Sequence, residues 1–240
     1  KKEILDELTN LSEADIKMDF SQIFLIGISD NNSLIRETSV VGLWESNDRM
    51  IIKPLTALLR DDPSNPVRRA AAMTLATFTR RSQEGKLIHR DYQQIRESLL
   101  YAIEDESSDI DTKRRSIETI AHLGSSGIED IIINAHKGYD SKLRQSAIYA
   151  MGRTSENRWI KLLITSLDDP DPAIRYETAS SLGELGDETI IPYLTKLLTD
   201  DDTEVRASAI RSLGQIGGSS AKQTIANYLD DENAIIKESA

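Results

Sequence analysis

The three histidines of this 240-residue chain are the side chains best suited to metal binding or proton transfer, and their spacing supports neither. None of His89, His122 and His136 is followed by a glutamate, and none has a second histidine four residues away. The chain also contains no cysteine, which excludes a thiol nucleophile, disulfides and cysteine-ligated metal. We therefore predict no catalytic residues, no metal site and no cofactor.

Clusters of aspartate are the second group with chemical potential, because spaced carboxylates bind calcium. The runs DDP at 61–63, DDPDP at 168–172 and DDD at 200–202 lack the spaced ligands and the terminal glutamate of an EF-hand loop. Each run lies where an amphipathic segment begins, so its carboxylates can accept hydrogen bonds from the free amides of a helix N-terminus. We interpret these aspartates as helix caps and not as calcium ligands.

The helices that follow these caps form a repeat, which is marked by a basic residue directly after an apolar one. We call this basic residue the anchor. The anchors are Arg36, Arg68, Lys113, Arg144, Arg175, Arg206 and Lys237. Successive anchors are 32, 45, 31, 31, 31 and 31 residues apart. A period between about 20 and 50 residues is the signature of a solenoid.

Every position around the anchor has a role in a helix. Four residues before it stand residues that favour the N-cap, namely Asn32, Ser64, Asp109, Asp140, Asp171, Asp202 and Asn233. The residue before the anchor is mostly apolar, the third after it is small, and the seventh after it is large and apolar, which is one stripe of a helix. A second amphipathic segment precedes each such helix. A helix pair cannot bury its stripe alone, so the sequence predicts an all-α solenoid of stacked pairs.

The repeats divide the chain into a short N-terminal segment and one array. Residues 1–19 fit no repeat fully, and we predict a degenerate or capping helix there, followed by the array at 20–240. The expected repeats span 20–46, 50–80, 92–124, 127–154, 157–186 and 187–217, with a partial repeat at 219–240. The 45-residue interval is longer than the others, and the stretch RRSQEGKLIHRDYQ within it predicts a longer loop at 80–93.

The loop aspartate, the N-cap and the pattern (V/I)R…A…LG.(L/I)G resemble bacterial and archaeal HEAT repeats, the short type found in phycobilin lyases. The resemblance is strongest over 140–240 and weakest in 1–19 and 81–95. It implies a right-handed α–α superhelix of HEAT-like helix pairs. In that family the loop aspartate and the arginine bond within and between repeats as a ladder. The matching pairs here are Asp30 with Arg36, Asp62 with Arg68, Asp169 with Arg175, and Asp200 with Arg206.

Positions one, five and nine residues after each anchor should form the inner face of the array. Tyrosine, methionine and arginine are enriched at the centres of protein interfaces. We predict that this face binds a partner through Arg69, Arg114, Tyr149, Arg153, Tyr176 and Arg211. The alternative for the two tyrosines is that they cover the edge of the core. The two tryptophans, Trp44 and Trp159, are expected to pack in the core or between repeats.

Charge argues against nucleic acid and membrane partners. The net charge is −11, and the face is interrupted by Glu37, Glu45, Glu118 and Glu184. Phosphate tracking requires continuous positive potential, and an acidic surface is repelled by anionic lipid. No apolar run approaches the roughly 20 residues that a membrane-spanning helix needs.

These observations predict a non-enzymatic scaffold whose concave groove binds another protein or peptide. The alternative is a HEAT-like enzyme or enzyme subunit, similar to a DNA alkylation glycosylase or a phycobilin lyase. We expect a cytoplasmic protein, because the chain has no cysteine. The chain begins without methionine and stops inside a repeat, so we also expect a monomer or a part of a larger chain.

Overall fold

The computed structural model describes residues 1–15, 18–124 and 126–240, and within these ranges all regular structure is helical. The prediction of an all-α fold built from helix pairs is confirmed. The chain forms two compact units, Lys1–Leu123 and Gly124–Ala240. After the N-terminal helix, the helices alternate between a first and a second helix of a pair, and each of these second helices contains an anchor.

The first unit contains seven α-helices within its described residues. They are α1 (Lys2–Ala14), α2 (Ser21–Gly27), α3 (Ser33–Gly42), α4 (Ile52–Asp61), α5 (Asn65–Gln83), α6 (His89–Glu104) and α7 (Ile110–Ala121). Helix α1 packs on α3 in the manner of a second helix, and no first helix precedes it within the described residues. It occupies most of the predicted segment 1–19, of which residues 16 and 17 lie outside the described residues.

The second unit contains eight α-helices in the part that the structure describes. They are α8 (Glu129–Lys137), α9 (Ser141–Arg153), α10 (Ile160–Thr165), α11 (Pro172–Leu185), α12 (Ile191–Leu197), α13 (Thr203–Ile216), α14 (Gly218–Ile225) and α15 (Ala234–Ser239). Short 3₁₀ turns precede α10 and α12 here, and another precedes α4 in the first unit. These turns bend the chain into the first helix of each pair.

The seven predicted N-cap residues all stand at the N-termini of second helices. Six of them accept a hydrogen bond from a first-turn amide through the side chain, and Ser64 does not. Asp202 accepts two such bonds, from the amides of Glu204 and Val205. These six side chains satisfy helix amides that would otherwise lack partners, so each of them fixes where its helix begins.

The predicted apolar stripe forms the core of both units. The small residues three positions after the anchors have no solvent exposure in six repeats, namely Ser39, Ala71, Ser116, Ala147, Thr178 and Ala209. The large residues seven positions after the anchors are equally buried, with Leu43, Leu75, Met151, Leu182 and Leu213 fully enclosed. Burial of these side chains holds each pair against its neighbour.

Glycine allows the second helices to approach closely in the second unit. A Cβ atom added at Gly183 would lie 2.6 Å from Ser212 Cβ on the next second helix. A Cβ atom at Gly152 would lie 2.9 Å from the Cα atom of Ser181. At this separation Ser181 Oγ donates a hydrogen bond of 3.0 Å to the carbonyl oxygen of Ile148. The second helices are therefore joined by direct backbone-level contacts, which leave them little freedom to slide.

The predicted long loop at 80–93 is wrong. The extra residues lengthen two helices, because α5 continues to Gln83 and α6 already begins at His89. Only residues 84–88 connect them. Gly85 adopts a φ of +68°, and the amide of Lys86 donates to the carbonyl oxygen of Arg81, which is a typical helix stop.

The anchor arginines form a ladder, but the rungs run between repeats. Arg36 makes a two-pronged ion pair with Asp62 of the next repeat, with Nε–Oδ2 and Nη2–Oδ1 distances of 2.7 and 2.8 Å. The contact of Arg36 with its own loop goes to the carbonyl oxygen of Asp30, at 3.0 Å. The same pairing with the next repeat recurs in Arg68–Asp105, Arg144–Asp169 and Arg175–Asp200.

The four predicted pairs do not form between carboxylate and guanidinium within a repeat. In three of them the arginine instead binds the backbone oxygen of the aspartate, as Arg36 does with Asp30. Arg68 pairs with Asp105 and Ser108 and not with Asp62, and Arg175 reaches only the backbone oxygen of Asp169. The reason is the turn at each loop, where Oδ1 of the aspartate accepts the amide two residues later, as Asp62 does from Ser64 at 2.9 Å. This turn orients the carboxylate toward the preceding repeat.

Arg206 does not pair with the loop aspartate of the next repeat, Asp231, although Asp231 makes the same turn through the amide of Asn233. Its Nη1 atom donates to the carbonyl oxygen of Asp200 at 2.7 Å, and its Nη2 atom donates to Thr203 Oγ1 at 2.9 Å. Among the described residues no carboxylate lies within 4 Å of its guanidinium. The predicted ion pair of Asp200 with Arg206 is thus replaced by a backbone contact.

Candidate partner-binding surface

The second-helix face is the exposed side of α3, α5 and α7 in the first unit and of α9, α11 and α13 in the second. Positions one, five and nine after the anchors mostly lie on it, as Met73 does with 49% of its surface exposed. Ala207 departs from the pattern because it is fully buried between helices. The predicted partner-binding residues divide between the units, with Arg69 and Arg114 in the first and the others in the second.

Tyr149, Arg153 and Glu184 form a cluster on this face of the second unit. The guanidinium carbon of Arg153 lies 5.0 Å from the centre of the Tyr149 ring. Nη2 of Arg153 lies 2.8 Å from Oε1 of Glu184 on the next second helix. Burial raises the pKa of Glu184, while the charge of Arg153 opposes that rise. Arg153 is consequently held in place by both a ring and a carboxylate.

Tyr176 stands one repeat beyond Tyr149 on α11 and is half-buried. Its carbonyl oxygen accepts a hydrogen bond of 3.1 Å from Ser208 Oγ on α13. Nearby, Gln145 Nε2 donates to Glu177 Oε2 at 3.3 Å. Helices α9, α11 and α13 are thus tied to one another on the face that carries the tyrosines.

The other predicted arginines are also engaged by neighbouring side chains. Arg69 Nη1 lies 3.5 Å from Asp111 Oδ2 on the next second helix. Arg114 lies within 4 Å of both Asp111 and Glu118 on its own helix. Arg211 is exposed, and its Nη1 donates to Ser239 Oγ at 3.0 Å. Carboxylates therefore offset most of the positive charge, and the face offers no continuous basic track of the kind that phosphate binding requires.

The two tryptophans differ from each other. Trp159 is 4% exposed and donates to Thr154 Oγ1, so its predicted packing role is confirmed. Trp44 is 43% exposed and lines a cavity of about 630 Å³ at the end of α3, so its predicted role in the core is wrong. The signal for this surface was present in the sequence, because small residues occupy the position of Trp44 in the other repeats.

Within the described ranges, no group of three or more histidine, aspartate or glutamate side chains is arranged to hold a metal ion. Across the same ranges, every helix is too short or too polar to cross a lipid bilayer.

The chain is similar to helical-repeat proteins. Residues 160–240 match the family model of HEAT repeats. The complex of CpcE and CpcF of phycocyanin lyase from Nostoc has a TM-score of 0.62 and 14% identity, with coverage of 98% of this chain and 88% of that chain. YibA of Escherichia coli has a TM-score of 0.56 and 16% identity, with coverage of 98% and 93%.

A third similar structure contains a bound peptide. A designed armadillo repeat protein in complex with the peptide (KR)4 has a TM-score of 0.51 and 15% identity, with coverage of 83% of this chain and all of that chain. No curated protein matches the sequence. The predicted resemblance to HEAT repeats is confirmed by the family model over residues 160–240, and the similar solved structures show a helical-repeat fold over most of the chain.

Proposed function

We propose that this chain is a non-enzymatic scaffold that binds a protein or peptide on the second-helix face. The observation that carries the proposal is the cluster of Tyr149, Arg153 and Glu184, which presents an aromatic ring and an arginine on rigid helices. Tyrosine and arginine are the side chains most often responsible for binding energy at protein interfaces. The designed armadillo protein with its bound peptide supports the same use of a related fold.

Rigidity is the second support for this proposal. The side-chain hydrogen bonds from Ser181 and Ser208 to the neighbouring helices fix the spacing of the second helices before any partner arrives. A surface that is already ordered loses less conformational entropy on binding. The pairing of Arg153 with Glu184 also indicates a partner with mixed charge, because either side chain can exchange its present contact for one with the partner. We propose a cytoplasmic location for this scaffold.

The enzyme alternatives have no support beyond the fold. The likeness to phycocyanin lyase, at 14% identity, concerns the arrangement of helices. A DNA alkylation glycosylase-like function requires a continuous basic groove, and carboxylates lie beside Arg69, Arg114 and Arg153. We therefore retain the binding function as the proposal.

The test is capture of peptides from a displayed library by three forms of the chain. We expect Tyr149→Ala with Arg153→Glu to lose the peptides that wild type enriches, while circular dichroism shows that the variant is folded at the temperature of the assay. The matched control is Tyr193→Ala with Lys196→Glu, a pair in which Lys196 Nζ also lies over a tyrosine ring, at 5.7 Å, but on the first helix α12. Equal capture by wild type and the Tyr149 variant would refute the site. Failure of wild type to enrich any peptide would refute peptide binding.

A further inference from the structure

The first repeat carries a large side chain where the others carry small ones. Eight residues after the anchor stand Ala76, Ala121, Gly152, Gly183 and Gly214, whereas the first repeat has Trp44. In the second unit Gly152 and Gly183 admit the neighbouring second helix. In the first repeat α3 has already ended at Gly42, so Trp44 follows the helix and lies at the surface.

The cavity beside Trp44 lies entirely within the first unit and measures about 630 Å³. That volume falls in the range of roughly 300–1,000 Å³ typical of ligand pockets. Phe24, which is 1% exposed, forms part of its lining, and Met18 lies on the surface beside it with 42% exposure. The packing of Phe24 depends on Gly42, because a Cβ atom there would lie 2.3 Å from the Phe24 ring.

The backbone around Trp44 is fixed from the next repeat. Thr77 Oγ1 on α5 donates a hydrogen bond of 2.8 Å to the carbonyl oxygen of Trp44. Arg81, also on α5, donates to both the carbonyl oxygen and the side-chain oxygen of Asn47, three residues further along the loop. The tryptophan is therefore exposed on a loop that is held at both ends, which is a preorganised arrangement.

Carboxylates outnumber cations among the residues that line this cavity. Asp19, Glu45 and Asp48 line it together with a single cation, Arg80. Oδ1 of Asp19 accepts the amide of Ser21, and hydrogen bonds from Ser21 hold the pKa of Asp19 below its ordinary value. Oδ1 of Asp48 likewise accepts the amide of Met50. These amide hydrogen bonds use only one oxygen of each of the two carboxylates.

We propose that this cavity binds a peptide segment of a partner protein, with a lysine or arginine side chain placed against Trp44 and an adjacent apolar side chain placed on the apolar lining. The proposal rests on the scaffold function proposed above and adds a second site with its own ligand chemistry. A tryptophan face attracts a cation more strongly than a tyrosine or phenylalanine ring does, and nearby carboxylates add to that attraction. Anionic ligands such as phosphate meet the opposite field.

The direct test is calorimetric titration of the whole chain with acetyl-Leu-Arg-Leu-Arg-amide. Two control peptides, acetyl-Leu-Glu-Leu-Glu-amide and acetyl-Ser-Arg-Ser-Arg-amide, separate the contributions of charge and apolar contact. We expect binding only of the first peptide, or binding of it at least about tenfold tighter than of either control. Raising the salt concentration should weaken the interaction, because exposed charges are screened.

Matched variants locate the site. Trp44→Leu keeps an apolar side chain but removes the aromatic face, and we expect a loss of affinity of about fivefold or more. Glu45→Gln removes one negative charge and should weaken binding less. The controls are Tyr101→Leu and Glu104→Gln. Tyr101 is also 43% exposed in the same unit, but Arg60 already covers its ring at 4.8 Å. We expect both controls to bind as wild type does.

Fluorescence gives an independent location. In a Trp159→Phe background the only tryptophan is Trp44, and its emission should shift during titration with the first peptide. Unchanged affinity in Trp44→Leu would overturn the proposal, and so would tighter binding of the glutamate peptide. If affinity instead falls in the Tyr149/Arg153 variant, the cavity is refuted while the scaffold function stands. If none of the three peptides binds, the proposal for the cavity is refuted. The scaffold function is not affected by that result, because the library capture tests it separately.

Discussion

Replacement of Arg175 by alanine tests the ladder most directly. Its Nε and Nη2 atoms each lie 2.7 Å from an oxygen of Asp200, and the two side chains are only 16% and 8% exposed. Removal of one member of a buried ion pair costs about 3–5 kcal/mol, and loss of a single charged hydrogen bond costs about 1.5–3 kcal/mol. Asp200 keeps the amide of Asp202 as a partner, so we place the loss of unfolding free energy at about 2–3 kcal/mol.

The matched control is Arg206→Ala, at the same position of the next repeat. Arg206 donates only to neutral oxygens, so its loss should cost about 1 kcal/mol. Urea unfolding followed by circular dichroism measures both values, and the fluorescence of buried Trp159 reports on the repeat that contains Arg175. Equal losses in the two variants would show that the ion pair contributes nothing beyond the backbone contacts, which would refute the reasoning.

The pH dependence of the same variant provides a second readout. The hydrogen bonds from Arg175 hold the pKa of Asp200 below its ordinary value. A depressed carboxyl pKa stabilises the fold above the unfolded pKa of about 3.9 and loses that contribution as pH falls through the folded value. We expect Arg175→Ala to unfold with a weaker dependence on pH below about 4 than wild type.

Two further predictions concern packing and burial. Gly183→Ala should lower the free energy of unfolding by about 1–3 kcal/mol, because its Cβ would overlap Ser212. Gly214→Ala should be neutral or stabilising, since the nearest atom there lies 3.9 Å away. Equal urea midpoints of the two variants would contradict this. His136 donates or accepts a 2.8 Å hydrogen bond with Ser166, and burial followed by the charge of Arg144 lowers its pKa. The neutral form is therefore favoured in the fold, so stability should fall as pH drops below about 6.5, and His136→Gln should lose less between pH 7.5 and 5.5 in the same assay.

The repeat itself was predictable because its determinants are local. Each cap and each apolar stripe depends on residues within one helix, so the N-cap of Asp171 and the burial of Leu182 follow from spacing alone. The pairing between neighbouring repeats depends on residues that are far apart in the sequence, so spacing does not predict it. The sequence places Asp200 near both Arg175 and Arg206, and only the turn at the loop decides that its carboxylate faces Arg175.

Two other features were beyond sequence reasoning for similar reasons. The stretch at 80–93 is mostly polar and includes Gly85, which favours a loop, yet only residues 84–88 lie outside the two helices α5 and α6. The predicted binding arginines were identified by position, but their pairing with Asp111 and Glu184 depends on the distance between helices. Exposure of Trp44 depends equally on where α3 ends.

The ladder gives each repeat a direction. Arg175 binds the loop of the following repeat, while Asp169 of the same repeat binds Arg144 of the preceding one. One side of a repeat therefore presents an arginine and the other side presents a carboxylate. A head-to-tail interface of this kind never closes on itself by pairing two identical faces. A gene that duplicates one 31-residue segment therefore inserts a matching donor and acceptor together, and the lengthened array keeps every rung.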